Sequence, residues 1–113
     1  MAPLIKDETL IARVRTLLRP LPKVEEKKMF GSLAFMVRGH LCVSARAERI
    51  MCRIDPSTHD DALKRPGARP IVMKGREYPG YLYVDAQSLK SPRALKYWVD
   101  QALAYNQAKK AKP

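Results

Sequence analysis

Between residues 33 and 54 the sequence falls twice into a strict alternation of apolar and polar positions. Leu41, Val43 and Ala45 alternate with Cys42, Ser44 and Arg46, and Ile50, Cys52 and Ile54 alternate with Met51, Arg53 and Asp55. A period of two places successive side chains on opposite faces of a β-strand. Only residues 46–49 separate the two blocks, and a parallel pair would need a crossover of a dozen or more residues. The preceding run Leu33-Ala34-Phe35-Met36-Val37 is apolar at every position, which reads as a central strand at least partly covered on both faces. Arg38-Gly39-His40 supplies a hairpin turn between it and the next strand. Three strands joined this closely predict an antiparallel meander.

The flanks add helices and further strands. Leu10, Val14, Leu17 and Leu18 share one helical face over residues 7–18, with Asp7 as a cap and Pro20 and Pro22 as a stop. Arg13, Arg15 and Arg19 lie off that stripe and are expected to face water. Residues 24–30 read as an edge strand closed by a turn at Gly31. Asp55-Pro56 starts a short helix that Pro66-Gly67 stops. Residues 71–73 and 81–84 read as strands, with 74–80 between them as an exposed basic loop. Ser91-Pro92 opens a helix to about residue 108, whose apolar stripe is Leu95, Trp98, Val99, Ala102 and Leu103. The expected fold is a two-layer α+β domain in the order α-β-β-β-β-α-β-β-α, an antiparallel sheet packed with helices. Residues 1–113 make one domain with a core over about 7–108 and a short basic tail at 109–113.

Several function classes drop out. No apolar run approaches the ~20 residues of a membrane span, and the N-terminus reaches Lys6 and Asp7 without an apolar signal core. A cytoplasmic location and no membrane partner are the expectation. Cys42 and Cys52 stand ten apart and form no CxxC pair, so they read as reduced, buried apolar side chains and not as a zinc site or a disulfide. His40 shares a strand face with Cys42, but no third group marks itself as orienting a base, and the plain reading of His40 is a turn residue. His59, Asp60 and Asp61 are adjacent, so they point in different directions on a helix; a solvated helix start is the better reading. No Gly-rich phosphate loop is present. We therefore expect no catalytic residues, no metal and no cofactor.

The chain carries 22 Lys and Arg against 11 Asp and Glu, a net charge of +11. Such a charge attracts polyanions without showing that one is bound. The densest mixture of cations and aromatics is Lys64, Arg65, Arg69, Lys74 and Arg76 with Tyr78, Tyr81 and Tyr83. Cations bind phosphates and aromatic rings stack on bases, so these five cations are the candidate nucleic-acid contacts. The competing reading is a solvated loop whose tyrosines cover the core edge.

Lys28-Met29-Phe30-Gly31, the apolar strand and glycine hairpin after it, and Arg49-Ile50-Met51-Cys52-Arg53-Ile54-Asp55 together resemble the N-terminal domain of the TfoX (Sxy) family. The last helix, around Leu95, Trp98 and Leu103, is similar as well, so the resemblance spans about residues 11–105. Ser32 stands where many relatives have a second glycine. The resemblance implies an antiparallel two-layer fold, a role in bacterial regulation of competence and transcription, and no catalytic residues to carry over. Full-length relatives act as coactivators and carry a second, C-terminal domain. The expectation is a non-catalytic regulatory binding module whose partner is a transcription regulator or nucleic acid. The alternatives are a protein–protein module or homodimer joined through an open sheet edge, and, behind it, a small cysteine-dependent enzyme.

Overall fold

The structure, a computed structural model, describes residues 9–29 and 31–108. Ten residues with apolar positions on one side form α1 (Thr9–Leu18), which buries Leu10, Ile11, Val14 and Leu18. The proposed cap Asp7 and the tail at 109–113 lie outside the described residues. Four strands follow: β1 (Val24–Met29), β2 (Ser32–Val37), β3 (His40–Ala45) and β4 (Arg49–Arg53). A 3₁₀ turn (Pro56–Thr58) runs into the short α2 (His59–Ala62). Then come β5 (Ala68–Met73), β6 (Arg76–Asp85), a second 3₁₀ turn (Ala86–Leu89) and the long α3 (Pro92–Ala108).

The six strands form one antiparallel sheet in the order β1-β2-β3-β4-β6-β5. The meander therefore runs through four strands. The chain then leaves through α2, and β6 returns beside β4 with β5 outside it. Helices α1 and α3 cover one face. Their apolar stripes meet Leu33, Phe35, Val43, Ile50, Leu82 and Val84 in one core, with Trp98 the largest side chain that α3 contributes. The α+β architecture is the one the sequence pattern predicts.

Capping follows the sequence closely. Asp55 Oδ1 accepts from the Ser57 amide and hydroxyl, both at 2.9 Å, and these bonds hold the Asp55 carboxyl below the usual carboxylate range. Ser91 Oγ accepts from the Ala94 amide at 3.1 Å at the head of α3. At its tail, Arg38 donates to the carbonyls of Asn106 and Gln107, and buried Asn106 donates through Nδ2 to the Val37 carbonyl at 2.9 Å. The β2–β3 hairpin thus fixes the end of α3, where a cation also complements the helix dipole. Arg15 is not left to water: it grips Glu26 of β1 through two bonds of 2.7 and 2.9 Å. That grip lowers the Glu26 pKa, so its contribution to stability is present at neutral pH and disappears as acid titrates the folded carboxylate. Both side chains are over a third exposed, so the contribution is under about 1 kcal/mol.

Two expectations change, and a third holds in part. Strand β2 lies one place in from the edge; helices cover its core face, with Leu33, Phe35 and Val37, and Ala34 on the other face is buried as well. His40 is the first residue of β3 and not part of the turn; the two-residue turn is Arg38-Gly39. Most of 74–80 is strand and not loop, because β6 begins at Arg76 and pairs back onto β5 from Met73↔Arg76 onward. Only Lys74 and Gly75 turn, both at positive φ, as a tight hairpin requires.

The two edges differ in composition. Along β1, Glu25, Glu26, Lys27 and Lys28 are all exposed. Along β5, Pro70 has no N–H to offer, and the register shifts between Pro70 and Val72.

Candidate binding face on the open side of the sheet

Strand alternation determines what the uncovered face displays. In β4, Ile50 and Cys52 point into the core, so Arg49, Met51 and Arg53 point away from it. In β6, Leu82 and Val84 are buried, so Tyr81 and Tyr83 share the open face with Arg49, Met51 and Arg53. Register aligns these rows: Met51 lies opposite Tyr83 and Arg53 opposite Tyr81. Ala34 and Ser44 are cross-strand partners on the same side.

Together they form a trough of about 470 Å³. Its floor is Ala34, Ser44 and Met51, and its aromatic side is Tyr78, Tyr81 and Tyr83. Met29 and Ser32 line it at the β1–β2 end, and Ile71 and Met73 come from β5. Arg46 and Arg49 are the charged lining residues, and no acid lines it. The volume lies within the ~300–1,000 Å³ usual for small-molecule sites, and a mostly apolar lining with few polar groups is also usual there. Met29, Met73 and Tyr78 are among the most exposed large apolar side chains described.

The arginines are backed by rings. The Arg49 guanidinium lies 3.9 Å from the centre of the Tyr83 ring, and Arg53 lies 5.4 Å from Tyr81 and 5.7 Å from Tyr105. Such stacking orients a guanidinium while leaving its N–H donors available. Among the described residues no carboxylate pairs with Arg49 or Arg53. Arg46 Nε is buried without a hydrogen bond, with the Glu48 carboxylate 3.4 Å away.

The β5–β6 hairpin, which carries Met73 and Tyr78, is held by His59. The His59 ring is buried; its Nδ1 accepts from the Gly80 amide at 3.0 Å. Nε2 therefore carries the proton and donates to Glu77 at 2.8 Å. His59 faces inward, unlike the solvated helix start expected of it, and Asp60 and Asp61 remain exposed. Among the described residues no three His, Cys, Asp or Glu side chains are grouped to hold a metal. Replacing His59 by leucine is expected to cost about 1–3 kcal/mol, since the buried Gly80 amide loses its acceptor. His59→Asn, which can offer an acceptor near the same place, should recover part of it; urea unfolding of both variants checks this.

The structure does not gather the five candidate cations onto one surface. Lys64 sits 3.7 Å from Asp61 beyond α2. Arg65 stacks at 3.6 Å on Tyr97 of α3, in the helical layer. Arg69 pairs at 2.6 Å with Asp85, opposite Tyr83 on the open face. Lys74 and Arg76 flank the tip of the β5–β6 hairpin, next to Met73. The residues that sequence reasoning missed are Arg46, Arg49 and Arg53, although the alternation at 50–55 places Arg53 with Met51; Arg49, read into the 46–49 connection, is the first residue of β4.

Both cysteines are free and buried. Burial pushes the Cys42 thiol up to about 12, and it pushes Cys52 up further, with an added push from nearby Cys42. A nucleophile needs thiolate, and this environment disfavours it. Neither thiol should react with a disulfide labelling reagent in the folded protein, and both should react once denaturant unfolds it.

The architecture defines a class, the two-layer α+β domain with helices on one sheet face and the other face open. The chain belongs to the TfoX N-terminal domain family, which matches residues 16–105. The fold is similar to a crystal structure of a protein from Pseudomonas syringae, with a TM-score of 0.61 at 9% identity, over 93% of this chain and 100% of that one. No curated protein matches the chain significantly. No helix among the described residues is long and apolar enough to cross a membrane.

Proposed function

We propose that the chain is a non-catalytic regulatory binding module, and that the open sheet face holds its partner. The observation that carries this is the trough itself: an apolar, Met- and Tyr-lined surface with a ring-backed arginine, Arg49, that no described carboxylate neutralises. Family membership supports a role in transcription or competence regulation, with a transcription regulator as the partner. The raised thiol pKa values support the non-catalytic half.

The test is capture of partners from native host extract, with and without nuclease, by the wild type and by Met51→Glu. A carboxylate on the trough floor should abolish capture while leaving the helical layer untouched. Equal recovery by both proteins would place binding elsewhere.

A second reading, direct contact with nucleic acid, is favoured by Lys74 and Arg76 at the hairpin tip beside the trough. It predicts binding that weakens with salt by a log–log slope of about −0.9 per phosphate neutralised on duplex DNA. Reversing both charges should weaken binding to all sequences alike. No binding even at low salt would end that reading.

A further inference from the structure

The trough combines two features that favour different parts of one ligand. Its floor and walls are apolar over Ala34, Leu41, Met51 and Met73, which favours a hydrocarbon or aromatic body. Its charged groups are Arg46 and Arg49, both positive, and no acid lines it. Arg49 is held by the Tyr83 ring at 3.9 Å and has no carboxylate partner among the described residues. Arg46 Nε forms an ion pair with the Glu48 carboxylate at 3.4 Å but without hydrogen-bond geometry. A guanidinium stacked on an aromatic ring keeps its in-plane N–H fork available to an anion at its edge.

We infer that the trough binds a small, free amphiphilic carboxylate, its head paired by Arg46 and Arg49 and its apolar body laid along Met51 toward Met73. This inference rests on the reading of the open face as the binding surface and names what that surface takes. A single-tailed molecule fits better than a polyanion, because the described lining of the trough supplies two cations, Arg46 and Arg49. A single-stranded nucleic acid is the competing occupant, since Tyr81 and Tyr83 could stack bases.

Isothermal titration with decanoate, decan-1-ol and decylamine tests it. Decanoate should bind at least about tenfold more tightly than the alcohol, and the amine more weakly than either, because only the acid brings a negative charge and a two-oxygen acceptor to the arginines. Removing both charges in Arg46→Gln/Arg49→Gln should bring decanoate down to the level of the alcohol and leave the alcohol unchanged. Arg49→Lys, which keeps the charge but not the fork, should retain part of the preference, and Lys64→Gln, away from the trough, should retain all of it. If the arginine variants fail to fold, the ratio among the three ligands on the wild type decides alone. Decanoate bound no better than decan-1-ol, an unchanged double variant, or a decauridylate that binds through Arg49 and is not displaced by decanoate would each overturn the inference. If decanoate fails to bind while Met51→Glu still abolishes partner capture, the surface stands and the ligand class falls. If decanoate binds through the two arginines while capture ignores Met51→Glu, the ligand site stands and the regulatory reading falls.

Discussion

Replacing Gly80 by alanine is expected to destabilise the domain by roughly 2–5 kcal/mol, whereas the same change at Gly75 should cost only about 1–2 kcal/mol, the left-handed backbone term alone. Both glycines have positive φ, +87° and +73°. Their surroundings differ. A Cβ at Gly75 would meet nothing within 4 Å. A Cβ at Gly80 would lie 2.8 Å from the Ile54 carbonyl oxygen and 3.1 Å from the Pro56 ring. That carbonyl cannot retreat cheaply, because Ile54 N also donates to Gly80 O at 2.7 Å and the two backbones are tied together there. The Gly80 amide is in turn committed to His59. Urea unfolding of the two variants side by side separates the clash from the dihedral strain, and equal losses at the two positions would contradict the packing at Gly80.

Truncating Trp98 to alanine should cost about 3–5 kcal/mol, a large part of the ~5–15 kcal/mol that holds a small domain folded. Trp98 is 3% exposed, on the side of α3 that meets the sheet. Its ring packs edge-on to Tyr97 at 5.2 Å, and Tyr97 carries Arg65 on its own face, so the loss would also loosen the α2–β5 connection. Trp98→Phe keeps most of the buried area and should cost much less. Thermal unfolding compares them; a Trp98→Ala protein with an unchanged midpoint would mean that α3 does not anchor the core.

Much of this was legible in the residues. The period-two blocks at 41–46 and 50–55 became β3 and β4, and Ser91-Pro92 and Asp55-Pro56 became a helix start and a 3₁₀ turn, because alternation and capping are local properties. The misreadings were non-local. Pro79 and Gly80 look like loop punctuation, and they do fall where the β5–β6 register shifts, without a β5 partner; β6 continues through them because the Ile54 amide donates to the Gly80 carbonyl and His59 supplies the acceptor for the Gly80 amide. Cys42 and Val43 are both fully buried although neighbours in a strand should alternate; a register shift opposite Phe35 and Met36 accounts for it, and no sequence signal marks it. The partner of Arg65 was not legible because it is tertiary: Tyr97 is thirty-two positions further on. For the same reason alternation put Met51 and Arg53 on one side of a strand but could not say which side the helices would leave bare, and Arg49, which reads as part of the 46–49 turn, joins them because β4 already starts there.

The composition of the two outer strands limits how this protein can meet others. A strand approaching β1 must pass four charged side chains, two acidic and then two basic, and one approaching β5 meets a proline and an irregular hydrogen-bonding row. Growth of the sheet by addition of a neighbour's backbone is thus obstructed at both ends, in a crowded cell as much as in a test tube. On the proposed reading, recognition falls to side chains on the exposed face, where it depends on shape and charge and where point substitutions should switch it off without unfolding the domain.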